Sequence, residues 1–414
     1  MTSSGALRDV AVIGGGPAGS TVANLLAVAG HDVLLLEKEV FPRFHIGESL
    51  LPIDLPIFER LGVELDPTTF LRKDGAEFID ERTGQAATFL FSDGLPGTPP
   101  SAYQVDRARF DHLLLRQAGA RGVEVREGVR VDGVTFDEEA ASIAAGGEIF
   151  RSRYLVDATG QDALLARANR TAEPLRGFGR VAVFRHYHGL QKEIADDLAV
   201  TGNIKVLMVP EGWMWLIPLA GARLSVGIVS REAVASTEVL EAAVAASPLI
   251  ARLTAGATTT EPRIIRNFSY QNVRPYGRRW ACVGDAACFL DPVFSSGVSL
   301  AMLSAQSLAD HLSMALREQD EARPDLLTAH SERMQLGYRS FAGLIGRFYD
   351  HALVRNLFFA DNAGEPYRPG LISVLGGDLW REDNPFQGIL LASQAASLPW
   401  PAHDGPARRG RRPS

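Results

Sequence analysis

Gly14, Gly16 and Gly19 fall in the spacing G-x-G-x-x-G, and Glu37 stands 18 residues beyond the last of them. Glycines at that spacing permit a tight turn, let backbone approach a pyrophosphate and let a helix pack closely on a strand. The helix start adds free N–H groups for the phosphates. A carboxylate at the position of Glu37 can take two ribose hydroxyls. These residues predict a dinucleotide site. Four further places carry chemistry. Asp285 follows an apolar run in Trp280-Ala281-Cys282-Val283-Gly284-Asp285-Ala286-Ala287. Lys73 lies in Phe70-Leu71-Arg72-Lys73-Asp74-Gly75-Ala76. Alone, flanked by Arg72 and Asp74, it reads as a solvated surface lysine, although a buried amine loses its proton readily and becomes a nucleophile. Trp213 and Trp215 alternate in Gly212-Trp213-Met214-Trp215-Leu216-Ile217-Pro218, so they share one strand face, and alone they read as sheet packing. Ser295-Ser296-Gly297 precede a helical pattern. Serine there predicts a helix cap, and the N–H groups of Ser296 and Gly297 suit an anion.

The glycine turn needs a strand before it and a helix after it. Residues 9–13 form an apolar run of the kind buried in parallel sheets. Residues 20–29 form a small-residue helix that Gly30 is placed to stop, and residues 32–36 form a second strand ending at Glu37. Further on, residues 76–91 and 180–228 carry strand patterns, with a turn at Ser92-Asp93-Gly94. Residues 107–120 read as a helix, because Phe110, Leu113, Leu114 and Ala118 recur at helical spacing. Residues 124–136 and 148–155 read as strands, 296–317 as a long helix, and 325–395 as mostly helical with breaks at Arg323-Pro324 and Gly364-Glu365-Pro366. No internal repeat is visible, and residues 399–414 read as a frayed tail.

Composition narrows the class. The 414 residues are 46% apolar and 22% charged, an ordinary globular balance. With 42 Lys and Arg against 49 Asp and Glu, the net charge of −7 argues against a nucleic-acid partner. Cys282 and Cys288, the two cysteines, suffice for neither a disulfide framework nor a zinc site. Cys288 is expected as a packed thiol in a helical stretch after Gly284-Asp285. His45, His186 and His188 share no ligand spacing, so no metal is expected, though His186 and His188 alternate and are placed to face a common cavity. No apolar run of 18 residues predicts a membrane span. A strand beginning at Val10 leaves no room for a signal peptide, so the expected location is cytoplasmic.

The glycine turn, the Gly284-Asp285 junction and Tyr154-Leu155-Val156-Asp157-Ala158-Thr159-Gly160 together resemble the flavoprotein monooxygenase superfamily, over roughly residues 9–310. That resemblance implies FAD, with Asp285 on a ribityl hydroxyl and Gln104 or Arg107 of Tyr103-Gln104-Val105-Asp106-Arg107 at the flavin. No second G-x-G-x-x-G follows a strand, so a separate flavin reductase is expected to supply FADH2.

Within that superfamily the chain resembles the flavin-dependent halogenases, phenol and pyrrole branch. The resemblance rests on the W-x-W-x-I-P pattern from Trp213 to Pro218, on Lys73 ahead of Gly75-Ala76, and on Asp291-Pro292-Val293-Phe294-Ser295-Ser296-Gly297-Val298. A strap, Phe41-Pro42-Arg43-Phe44-His45-Ile46-Gly47-Glu48-Ser49-Leu50-Leu51-Pro52, matches as well. By this resemblance Gly14, Gly16, Ala18, Gly19 and Glu37 bind the cofactor, as do Glu48, Arg107, Asp285, Pro292 and Val298. Ser296 and Gly297 hold chloride or bromide. Trp213, Trp215, Ile217 and Pro218 line a passage from flavin to substrate, and Lys73 is catalytic. Tryptophan halogenases carry a glutamate where this chain has Phe294, so that substrate base is not carried over.

The fold expected is α/β: a Rossmann-like three-layer FAD-binding domain (residues 1–75, 107–179 and 276–320) interleaved with a mixed β-sheet substrate domain (76–106 and 180–275). A helical C-terminal region (321–398) and a disordered tail (399–414) follow. The reaction implied is FADH2-dependent halogenation of an electron-rich aromatic, a phenol or pyrrole, free or tethered to a carrier protein. It would run through a flavin C4a-hydroperoxide and hypohalous acid to Lys73. The alternative is a group A-type flavin aromatic hydroxylase, which needs neither Lys73 nor the tryptophan pair. A reductase-like flavoenzyme and a non-catalytic FAD-binding relic are weaker alternatives, since neither explains Lys73.

Overall fold

The apolar runs around Val10 and Val33 become neighbouring strands of one parallel sheet. The computed structural model describes residues 6–175, 177–231, 235–350, 358–359 and 365–392. The expected tail at 399–414 lies outside the described residues. β1 (Arg8–Ile13) pairs in parallel with β2 (Val33–Leu36) on one side and with Glu148–Asp157 on the other. Trp280–Cys282 extends the sheet beyond Glu148–Asp157, and Glu124–Arg126 extends it beyond β2, both in parallel. Helix α1 (Pro17–Val28), joined by the helices Arg107–Ala120 and Ser296–Glu318, covers one face. The strands Val131–Phe136 and Ala141–Ala145 cover the other, packing Ile143 and Ala145 beside Ala11, Leu34 and Leu155. The result is the expected three layers.

A second sheet holds the strands Val181–His188, Arg223–Ser230, Gly212–Leu219, Ile204–Val209, Gly75–Asp80 and Gln85–Leu90 in that spatial order. All neighbours are antiparallel except Ile204–Val209 with Gly75–Asp80, so the sheet is mixed. Helices Lys192–Thr201, Thr237–Ala246 and Pro248–Leu253 pack on one face. Helices Thr328–Tyr349, Arg368–Leu375 and Pro385–Leu391 lie on the other, around an aromatic core that includes Trp213, Phe78, Phe89 and Phe348.

Several local expectations shift. The first helix begins at Pro17, because proline fits a first helical turn whose N–H is unpaired in any case. The helix does stop at Gly30, whose φ is 91°. Residues 76–91 form two strands, Gly75–Asp80 and Gln85–Leu90, with a further turn between them, and the turn expected at Ser92-Asp93-Gly94 is present as a 3-10 turn that Gly94 closes. Residues 124–136 divide into two strands, and 180–228 includes the helix Lys192–Thr201. Ala102–Gln104 pairs with Leu71–Lys73 rather than with the large mixed sheet. Cys288 lies on a two-residue strand rather than in a helix, paired with Gln271, and is buried. Among the described residues no helix is long and apolar enough to cross a membrane, and no cluster of potential metal ligands occurs.

Candidate active site

The carboxyl ends of the parallel strands open onto a cavity of about 360 Å³ that runs from the glycine turn to the tryptophan pair. Its volume sits in the range of small-molecule sites, ~300–1,000 Å³. The three glycines have separable reasons to be glycine. Gly14 has φ 103°, and a Cβ there would lie 2.3 Å from the carbonyl oxygen of Ala158. At Gly19 a Cβ would lie 1.8 Å from the carbonyl oxygen of Gly14, so helix and turn touch there. Gly16 is the N-cap of α1, makes no side-chain cap, and would set a Cβ no closer than 3.6 Å to its nearest neighbour, Arg43. It therefore keeps the helix N-terminus open toward the cavity. Glu37 is buried in the cavity wall, accepting the N–H of Gly15 at 2.6 Å and of Glu39 at 2.8 Å. Each oxygen keeps a lone pair for a ligand hydroxyl.

The strap crosses this cavity and is clamped from beneath. Arg107 sends Nε and Nη2 to the two oxygens of Asp111, at 2.7 and 3.0 Å, and Nη1 to the carbonyl of Ile46 at 2.5 Å. Arg43 joins Asp111 at 2.7 Å. Burial alone would raise the Asp111 carboxyl, but Arg107 and Arg43 override it and hold the group below the usual carboxylate range. Such a bidentate pair fixes geometry as well as charge. The sequence reading named Arg107 and missed Asp111, although a partner four residues on along a helix was the available signal. Glu48 accepts from His186 Nε2 at 2.6 Å through Oε1. Its Oε2 is buried in the cavity wall with no partner. His186 thus reaches the wall through Glu48, while His188 lies one pair further along the strand.

These observations fit FAD. An open helix N-terminus, a carboxylate with free lone pairs and an orphaned carboxylate oxygen at the strap are polar features awaiting a ligand. Ala18, Asp285, Pro292 and Val298 also line the cavity. Burial raises the Asp285 carboxyl to about 7, against the opposing influence of Arg107 and of Gln161. Gln104 does not line it; that side chain is buried and donates to the carbonyl of Gly202 at 2.8 Å.

At the far end, Trp213, Trp215 and Ile217 line the cavity with ring centroids of the tryptophans 6.0 Å apart. Pro218 is buried but is not in that lining, because strand alternation turns it to the opposite face; the expected passage is three residues, not four. Trp215 lies across Gly227, where a Cβ would meet its ring at 2.3 Å, and donates to Ser225 at 3.1 Å. Trp213 donates to the Tyr349 hydroxyl at 3.0 Å, which donates to Asp291 at 2.9 Å. Neither Gly227 nor Tyr349 was legible beforehand, since each depends on register across separate elements.

Asp291 begins the following loop by accepting the N–H of Val293 at 3.0 Å. Ser295 occupies the N-cap of the Ser296–Glu318 helix but does not cap it: its φ is 57° and ψ 22°, with no side-chain bond to the helix. The expected serine cap is absent because a residue in the left-handed region aims its side chain away from the first turn. A non-glycine residue held there is a strained feature of the kind found at ligand sites. Ser295 and Gly297 line the cavity, and Ser296 is buried behind them. Phe294 packs in the aromatic core, 5.6 Å from the Phe348 ring and 6.3 Å from that of Phe78.

Lys73 is 1% exposed, contrary to its surface reading. It ends the strand Leu71–Lys73, which is held by Ala102–Gln104, and Ser49 bridges to Gln104 on the far side. Nζ donates to Ser49 Oγ and to the carbonyl of Leu50, each at 2.9 Å, and stands 5.3 Å from the Phe91 ring centroid. Burial lowers its pKa to about 7, opposed only by Asp54. Lys73 itself is not in the cavity wall; Ser49 is, so the amine meets the cavity through that hydroxyl.

The sequence profile described as Tryptophan halogenase matches residues 9–99 and 93–365. A Tryptophan 2-halogenase of Chondromyces crocatus is 36% identical over 72% of this chain, an alignment that spans 59% of that relative. A 1H-pyrrole-2-carbonyl-[peptidyl-carrier protein] brominase of Pseudoalteromonas luteoviolacea is 32% identical, covering 89% of this chain and 91% of its own length. Among solved structures, the flavin-dependent brominase Bmp2 superposes with a TM-score of 0.80 at 28% identity, over 93% of this chain and 97% of that one.

Proposed function

Because the chain belongs to the flavin-dependent halogenase family, we propose that it chlorinates or brominates an electron-rich aromatic ring, a pyrrole or phenol, with Lys73 handing over the halogen. The observation that carries this reading is the buried Lys73 amine, lowered to about 7 beside a cavity that links the glycine turn to the tryptophan pair. FAD bound in reduced form supplies the electrons that activate O2 and, with halide, make hypohalous acid. Gly14 to Gly19 and Glu37 hold the dinucleotide. Arg107 and Asp111 fix the strap over it. The N–H groups of Ser296 and Gly297 attract halide, the helix dipole adding to them. Trp213, Trp215 and Ile217 form an apolar passage that keeps the ring away from the flavin. Lys73 then fixes which carbon meets the halogen, and such placement is where an already reactive electrophile gains rate and selectivity. The relative that acts on a pyrrole tethered to a peptidyl-carrier protein, together with Phe294 in place of a glutamate, favours a pyrrole-type substrate on a carrier. The likeness to a Tryptophan 2-halogenase makes tryptophan the competing substrate.

The test supplies purified protein with FAD, a flavin reductase, NADH, O2 and chloride or bromide, and offers in turn a carrier-bound pyrrole, a phenol and tryptophan. Mass spectrometry then reads the halogen isotope pattern. Halogenated tryptophan alone would overturn the substrate assignment, and oxygenated product alone would overturn halogenation.

Two further outcomes are expected of the same protein. NADH alone should leave bound flavin oxidised on the turnover timescale, and added reductase should bleach it; rapid bleaching by NADH alone removes the separate reductase. Gly297→Val should raise the halide concentration needed for half-maximal halogenation several-fold while flavin absorbance persists. A Cβ at Gly297 would lie 2.8 Å from the Phe289 ring, so the larger side chain must displace that ring, which lines the same cavity as Gly297. An unchanged halide dependence would place the anion elsewhere.

A further inference from the structure

Asp54 is fully buried in the short turn Pro52–Asp54, and the halogenation chemistry described above makes no use of it. Its Oδ2 accepts the N–H of Leu51 at 3.1 Å and the Ser299 hydroxyl at 2.8 Å. Its Oδ1 is buried with no partner at all. A half-satisfied buried carboxylate is expensive, and an amide or apolar side chain of similar shape would be cheaper for folding alone. Three links connect this group to the site. The N–H of Leu51 belongs to the peptide whose carbonyl, that of Leu50, accepts from Lys73 Nζ at 2.9 Å. One peptide group is therefore gripped at its oxygen by the amine and at its hydrogen by the carboxylate, each polarising it toward the other. Ser299 lies in the first turn of the helix that begins with Ser296 and Gly297. And among the described residues Asp54 and Lys73 are the charges that act on each other. Among the described residues, the side chains that the two touch are uncharged: the Ser49 hydroxyl, the Phe91 ring and the Ser299 hydroxyl.

We infer that Asp54 is a positioning residue for the Lys73 amine: through the Leu50–Leu51 peptide that both groups grip, its carboxylate sets the charge state of the amine and ties it to the helix that carries Ser296 and Gly297. The inference rests on Lys73 as the group that handles the halogen. Burial drives both groups toward their neutral forms, raising Asp54 and lowering Lys73 to about 7 each, while each opposes that drift in the other. The pair is thus poised near neutral pH, where a small change in one alters the other.

The sign follows directly. Asp54 raises the Lys73 pKa, so removing its charge lowers that pKa and leaves the amine neutral at lower pH. Asp54→Asn should shift the pH limb of halogen incorporated per FADH2 oxidised toward lower pH by about one unit, as expected for loss of a nearby opposite charge. Flavin binding should be retained. Ser299→Ala removes a hydrogen bond that favours the carboxylate, so it should shift the limb in the same direction by less; it serves if Asp54→Asn does not fold. A limb unmoved in the folded variants overturns the inference. The profile of Lys73→Ala separates the two claims: if that variant still halogenates with the wild-type limb, the Lys73 reading itself fails. If it is inactive and the Asp54→Asn limb is unmoved, only the role of Asp54 fails.

Discussion

Lys73→Ala is expected to fold, bind FAD and consume FADH2 and O2 near the wild-type rate, while halogenated product falls by roughly 10²-fold or more, as when a positioned proton-handling group is lost. Oxygen consumption needs flavin and O2 and no amine. The oxidising equivalents should emerge as hydrogen peroxide or free hypohalite. Folding should survive. The variant leaves the carbonyl of Leu50 without its donor, a loss of about 1–3 kcal/mol, but it also removes the desolvation burden of a buried ammonium, which offsets part of that loss. Lys73→Arg should not restore product, because a guanidinium stays protonated and is a poor nucleophile. The measurement is product halogen per FADH2 oxidised. Near-normal coupling in Lys73→Ala would turn the reading toward an aromatic hydroxylase built on the same cavity.

Gly19→Ala should strip the protein of most of its FAD and lower its thermal midpoint, although alanine is the better helix former. Propensity in α1 favours alanine by about 1 kcal/mol. Against that, the new Cβ would lie 1.8 Å from the carbonyl oxygen of Gly14 and 3.2 Å from Ala158 Cβ. The first contact is backbone, which cannot rotate aside, so helix and turn must separate. Overpacking of this kind costs ~1–3 kcal/mol, occasionally more, and it distorts the turn proposed to hold the dinucleotide. Gly119→Ala provides the opposite case. That position is also helical, but its Cβ would meet nothing nearer than Val125 Cγ2 at 3.9 Å. There propensity should prevail, with a small rise in thermal midpoint and unchanged flavin content. A Gly19→Ala protein that retains flavin like wild type would contradict the close helix–turn contact.

The glycine turn was legible because its requirement is local: three glycines, a strand before and a helix after lie within one stretch of chain. Helix α1 and the strand ending at Glu37 follow from the same stretch. The Trp213–Ile217 face was legible because alternation is a property of any strand, and the same rule turns Pro218 away. Lys73 was legible only by resemblance, since its immediate neighbours, Arg72 and Asp74, are exposed or half-exposed and pair with each other at 2.9 Å. Ser295 was misread as a cap because the left-handed backbone at that residue is imposed by how the loop from Asp291 meets the helix, not by serine itself.

By itself, then, the sequence determined what short-range sterics and periodicity dictate: the glycine turn between strand and helix, and the alternation that sets Trp213, Trp215 and Ile217 on one strand face. Tertiary structure alone decided which side chains meet and in what charge state. Lys73 is a nucleophile candidate because strands from 71–73 and 102–104 bury it under Ser49. Trp215 lies flat because Gly227 faces it across the sheet. Asp54 acts on Lys73 because one peptide group, 50–51, lies between them. Burial and register depend on contacts between segments far apart in the chain, and desolvation, which sets the pKa of a buried amine, exists only once those segments have closed around it.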